Sequence, residues 1–157
     1  MSETEARPAE GGSDIFTGEP NPTRRDALDE AIQRLEAAGV SNARKNAEWL
    51  LADVLGCNTA ALYAHPTRAI EADRLQAFAS MVARRADREP LQYILGHTDF
   101  YGLTLEVNPH VLIPRPETEE VVEHALGLID DVDQPRVLDV GTGSGCIALA
   151  IKHERPD

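Results

Sequence analysis

From Ala27 to Val82 the apolar residues of this chain recur with the period of an α-helix, and that period stops at Pro90. Ala27, Leu28, Ala31, Ile32, Leu35 and Ala38 fall three and four residues apart and form one stripe on one helix. Thr23 suits its N-cap and Gly39 its stop. Ser41 or Asn42 opens a second helix, striped by Ala43, Ala47, Leu50, Leu51, Val54 and Leu55 and ended by Gly56. Asn58 or Thr59 opens a short third helix, through Leu62 and Tyr63, that stops before Pro66. A fourth, from about Glu71 to Arg88, puts Leu75, Phe78, Met81 and Val82 on one face. Arg84, Arg85 and Arg88 lie in its last turn, the favourable sign for a helix C-terminus. Residues 23–89 are expected to form a small antiparallel helical bundle.

Beyond Pro90 the pattern changes. LQYILGH, FYGLTLEVN and HVLIP are rich in β-branched and aromatic residues and are broken by Gly96, Gly102 and Pro109, which predicts short strands with a hairpin turn near Gly102. Residues 90–113 are therefore expected to be a β-hairpin linker. Pro114 and Pro116 bracket Arg115, and Pro116 suits the first turn of a helix, PETEEVVEHALGLI, with Val121, Val122, Ala125, Leu126 and Ile129 as its buried stripe. Next, RVLDV reads as a strand, GTGSG as a glycine turn and CIALAIKHE as a helix, which is how a parallel α/β fold opens. One such unit cannot make a sheet, so residues 114–157 are expected to be the start of a longer domain, truncated after the glycine loop.

Charge divides the chain in the same places. Residues 1–23 carry five acidic groups and one basic, residues 24–89 ten of each, and residues 90–157 twelve acidic and four basic. The sum is −12. A chain this acidic repels phosphate backbones, which argues against direct nucleic-acid binding. Residues 1–22, rich in Gly, Pro and acids, bury too little to order themselves and are expected to be a mobile tail. No signal peptide or membrane span is legible, so a cytoplasmic protein is expected. Cys57 and Cys146 have no metal-type partner and read as reduced thiols. The preference for arginine over lysine with an acidic surface fits either a high-salt habitat or a GC-rich genome.

Asp139-Val140-Gly141-Thr142-Gly143-Ser144-Gly145 is the element that points to chemistry. Its glycines allow a sharp turn and let a ligand lie against bare backbone. A dinucleotide fingerprint would need a glycine where Cys146 stands. A Walker loop would need glycine there and a lysine after it, and a nucleophile elbow around Ser144 would need glycine at Thr142. The spacing fits the loop of S-adenosylmethionine enzymes; a packed turn with no ligand is the alternative.

PLQYILGHTDFYGLTLEVNPHVLIPRPETEEVVEHAL followed by VLDVGTGSGCIALA closely resembles the peptide-chain release factor glutamine N5-methyltransferase family (HemK/PrmC type). Ile113–Glu119, IPRPETE, is the most specific stretch of that resemblance. The resemblance covers about residues 24–157. It implies a helical substrate-recognition domain before a Rossmann-like methyltransferase domain. The activity implied is S-adenosylmethionine-dependent N5-methylation of the glutamine in the GGQ motif of release factors, which would be its partners. It also implies cofactor contacts at Gly141, Thr142, Gly143, Ser144 and Gly145, with Asp139 and Phe100 as further contacts, and an active-site wall at Arg115 and Glu117. The family's substrate signature, Asn-Pro-Pro-Tyr, is not in this chain; Asn108-Pro109-His110-Val111 precedes the loop and lacks the second Pro and the Tyr. No catalytic residue is therefore assigned, no metal is expected, and these 157 residues alone are expected to be inactive. A ribosomal-protein glutamine methyltransferase and a non-catalytic, partner-binding helical domain are the alternatives.

Overall fold

The computed structural model describes residues 22–156, so the acidic segment expected as a tail lies, apart from Pro22, outside the described residues. Pro22 itself is buried and its carbonyl accepts from Ile70 N at 3.1 Å, so this residue packs against the helical unit. The chain forms two compact units, Met1–Ile94 and Leu95–Asp157.

The first unit contains α1 (Arg24–Ala37), α2 (Ala43–Leu55), α3 (Thr59–Ala64) and α4 (Ala72–Ala86), and α5 (Leu91–Leu95) runs across its end. Thr23 starts α1 with a capping box: its hydroxyl accepts from Asp26 N, and the Asp26 carboxylate accepts from Thr23 N at 3.1 Å. Asn58 starts α3 in the same way, its Oδ1 accepting from Ala61 N. Gly56 ends α2 at φ +62, a left-handed stop. Ala27, Ala31, Leu35, Ala47, Leu50, Leu51, Phe78 and Val82 close the core, with Phe78 fully enclosed.

Polar bonds fasten the bundle where its helices end. Buried Asn46 donates to the carbonyls of Ser41 and Asn42 and accepts from Arg85 Nε at 2.7 Å. Arg88 Nη2 donates to Ala38 O at the end of α1, and Arg84 pairs with Glu89. Arg84, Arg85 and Arg88, at and just beyond the end of α4, thus have partners inside the unit.

In the second unit β1 (His97–Phe100) pairs antiparallel with β2 (Leu103–Glu106), with Phe100 opposite Leu103 and His97 opposite Glu106. Tyr101 and Gly102 form the two-residue turn at φ +48 and +75, the geometry that matches strand twist. A 3-10 turn (Pro116–Thr118) leads into α6 (Glu119–Ile129), and α7 (Cys146–Glu154) follows the glycine loop. Phe100, Leu105, Val122, Cys146, Ala150 and Ile151 make its core. Arg155 caps α6 from outside that helix, donating to Ile129 O at 2.8 Å and Val132 O at 3.1 Å.

Four expectations are corrected. LQYIL is the helix α5, not a strand, because Leu91 and Ile94 bury one helical face. HVLIP is irregular. RVLDV forms no strand: an extended segment becomes one only with hydrogen-bonded neighbours, and none lies beside it among the described residues. Val121, expected in the buried stripe of α6, is half exposed, while Val122 is fully buried. The architecture seen is helical with a small two-stranded antiparallel sheet.

Candidate functional site

The glycine loop has the backbone that its sequence requires. Gly141, Gly143 and Gly145 stand at φ +82, +58 and +79, a region that L-residues with a Cβ enter only with strain. A Cβ added at Gly141 would meet nothing within 4 Å, and one at Gly143 only the carbonyl of Gly141 at 3.8 Å. The protein itself therefore leaves open the space over these two residues. Gly145 differs, since its Cβ would touch Leu149 and Thr142 at 3.6–3.9 Å.

Two bonds hold the loop. Thr142 Oγ1 donates to the main-chain oxygen of Asp139 at 3.0 Å, and Gly145 N donates to Thr142 O at 2.8 Å. Leu149 N then bonds Gly145 O, which starts α7 with no side-chain cap. The Asp139 carboxylate takes no part in closing the turn through Oδ2, which is buried and has no hydrogen-bond partner among the described residues. A buried acceptor without a donor is costly. Asp139 also lines a groove of about 350 Å³ with Ile129, Pro135, Val137 and Ala148.

The other residues singled out in the sequence fall elsewhere. Phe100 is 2% exposed and packs against α6 and α7. The hairpin turns its ring into the apolar core of the second unit. Arg115 and Glu117 are exposed at the start of the 3-10 turn, where Arg115 O accepts from Thr118 N at 2.9 Å. Glu119 carries the bond that the sequence did not disclose: its Oε1 accepts from Tyr101 N at 2.8 Å and ties the start of α6 to the hairpin. The Tyr101 hydroxyl is pushed above its ordinary pKa by desolvation, with the Glu123, Glu154 and Glu119 carboxylates adding to it. His124 Nδ1 bonds the carbonyl of Glu120, and no three His, Cys, Asp or Glu side chains converge among the described residues. Cys57 is half-buried and Cys146 buried. No helix among the described residues is long and apolar enough to cross a membrane.

Residues 26–96, nearly all of the helical unit and the chain up to the residue before β1, match the family described as the PrmC N-terminal domain. The chain is 46% identical over 134 residues to a protein of Koribacter versatilis named release factor glutamine methyltransferase, covering 85% of this chain and 48% of that relative. A relative of the same name from Geobacter sulfurreducens is also 46% identical, covering 85% of this chain and 46% of its own length. A third, from Rhodospirillum rubrum, is 37% identical over 153 residues, 94% of this chain and 47% of the relative. The helical unit thus defines a chain built on a PrmC N-terminal domain. Over most of its length the chain is similar to proteins named release factor glutamine methyltransferase, and it spans about half the length of the curated relatives that it matches.

Proposed function

We propose that this chain is part of a methyltransferase that N5-methylates the glutamine of the GGQ motif in peptide-chain release factors, with S-adenosylmethionine as methyl donor. On this reading residues 23–89 are a substrate-recognition domain, 90–113 a hairpin linker and 114–157 the opening of a Rossmann-like, cofactor-binding domain. The protein works in the cytoplasm on a protein partner, not on nucleic acid.

The observation that carries the reading is the loop Asp139–Gly145, with bare backbone at Gly141 and Gly143 and, at Asp139, an acceptor that lacks a donor among the described residues. Those residues suit a ligand that lays an apolar chain and a ribose over glycines and offers a donor to a carboxylate. Gly141, Thr142, Gly143, Ser144 and Gly145 would hold the cofactor, and Asp139 Oδ2 would take a hydrogen bond from it. Arg115 and Glu117, exposed before α6, would form a wall of the active site. When bound, the cofactor supplies an electrophilic methyl group on a sulfonium. An amide nitrogen is a poor nucleophile because its lone pair is delocalised, so the rate depends on holding it in line and on acceptors for its N–H groups. The Asn-Pro-Pro-Tyr signature that would do this is not among these 157 residues, so the isolated chain is expected to transfer no methyl.

A chimera tests the proposal: this chain replaces the matching first half of the Geobacter sulfurreducens relative, and labelled methyl is counted on a release factor. The expected result is label on the GGQ glutamine for the chimera and none for the chain alone. A folded, soluble chimera that leaves the glutamine unlabelled, while the intact relative labels it, overturns the proposal. Label on a ribosomal protein in place of the release factor selects the ribosomal reading.

A further inference from the structure

Three arginines, Arg24, Arg68 and Arg74, line a pocket of about 210 Å³ in the helical unit, far from the glycine loop in sequence. Arg24 comes from the first turn of α1, Arg68 from the segment before α4, and Arg74 from the first turn of α4. Leu55, Ala69, Ile70 and Glu71 complete the wall.

Arg24 is the unusual member. It is 8% exposed, has no ion-pair partner among the described residues, and carries an Nε–H that is buried without an acceptor. Among the described residues its side chain makes one hydrogen bond, from Nη1 to the carbonyl of Ala61 at 2.9 Å. A guanidinium has five N–H donors and keeps its charge at any physiological pH. Burying one beside neutral carbonyls costs free energy that a counter-charge would offset. The nearby cations make the deficit larger. Arg68 is exposed, and Arg74 donates to Val54 O and lies only 3.7 Å from Glu71, whose carboxylate is largely in water. Glu71 is the one carboxylate among the residues that line this pocket, and it does not neutralise three guanidiniums.

We propose that this pocket is an oxoanion site that takes one carboxylate or phosphate group, with Arg24 as its floor and Arg68 and Arg74 as its rim. Size agrees with that ligand. A water occupies about 30 Å³ of liquid, so the pocket holds a single oxoanion with a few waters and falls short of the 300 Å³ or more typical of larger ligands. Planar guanidiniums suit both groups because each presents paired oxygens to the fork of N–H donors. Backbone supports the site as well: Arg24 N bonds Arg68 O at 3.0 Å, which ties the floor to the rim before any ligand arrives. The proposal does not depend on the glycine loop or on methyl transfer.

The test uses the 157-residue chain, labelled with nitrogen-15, and two probes: inorganic phosphate and N-acetyl-glutamate amide. Arginine Nε–H signals and the melting temperature are followed as each is added at millimolar concentration and constant ionic strength. The expected result is a saturable shift of the Arg24 Nε–H signal and a higher melting temperature. At least a tenfold weaker response is expected in the variant R68A/R74A, whose substituted side chains are exposed and whose fold is checked by circular dichroism. Tighter binding of one probe assigns the source of the anion. No saturable shift with either probe, or equal shifts in R68A/R74A, overturns the site.

Discussion

At the scale of single residues, the glycines of the loop separate backbone need from ligand space. In the protein alone a Cβ at Gly143 clashes with nothing, so its penalty is the left-handed φ, about 1–2 kcal/mol. Gly143→Val in the chimera is therefore expected to stay folded, with a melting temperature lowered by a few degrees, yet to lose S-adenosylmethionine binding. Calorimetry that found unchanged affinity would take the loop out of the cofactor site. Thr23 gives a second residue-scale prediction. Its hydrogen bonds hold the Asp26 carboxyl below its ordinary pKa, chiefly through the side-chain bond and then the backbone one. A depressed folded-state pKa stabilises the fold above the ordinary carboxylate value, and this is lost as pH falls through the depressed one. In Thr23→Val the Asp26 titration, read by NMR, is expected to move up toward the ordinary value. The acid side of the stability profile then flattens.

Among the elements, the hairpin matters most to the second unit. Its turn places Tyr101 and Gly102 at positive φ, and its strands put Phe100 and Leu105 into the core. Gly102→Ala is expected to cost about 1 kcal/mol from the backbone alone, since a Cβ there meets nothing within 4 Å. Phe100→Ala empties a fully enclosed site and is expected to cost about 3–5 kcal/mol. Denaturant unfolding followed on the second unit orders the two, and a Phe100→Ala chain as stable as the parent would contradict the packing role. The interior of α6 fixes the other side of the same core through Val122, while Arg155 satisfies its last carbonyls.

Taken whole, the chain carries exposed apolar side chains along one segment. Leu138 is 86% exposed and Val140 83%, beside a half-exposed Val137. An extended apolar segment with unpaired backbone is a template for association. The 157-residue chain is expected to self-associate with rising concentration in sedimentation velocity, and L138E/V140E is expected to sediment as a monomer across the same range. If both behave alike, the segment is not the contact.

Local rules made the helical unit legible. Caps at Thr23 and Asn58, stops at Gly39 and Gly56 and the stripe of Ala27 through Leu35 depend on neighbours three or four residues away, which the order of residues states directly. The turn at Gly102 and the positive-φ glycines of the loop were legible for the same reason: only certain backbone angles are open there. What depended on distant partners was not. LQYIL chose helix over strand, and RVLDV stayed unpaired, because strand formation is settled by hydrogen-bonding neighbours and not by composition. Phe100 went to the core, Glu119 to the Tyr101 amide and Arg24 to a pocket shared with Arg68 and Arg74 for a like reason. Each of these depends on which side chains the folded backbone brings within a few ångströms, a distance that spacing along the chain does not encode.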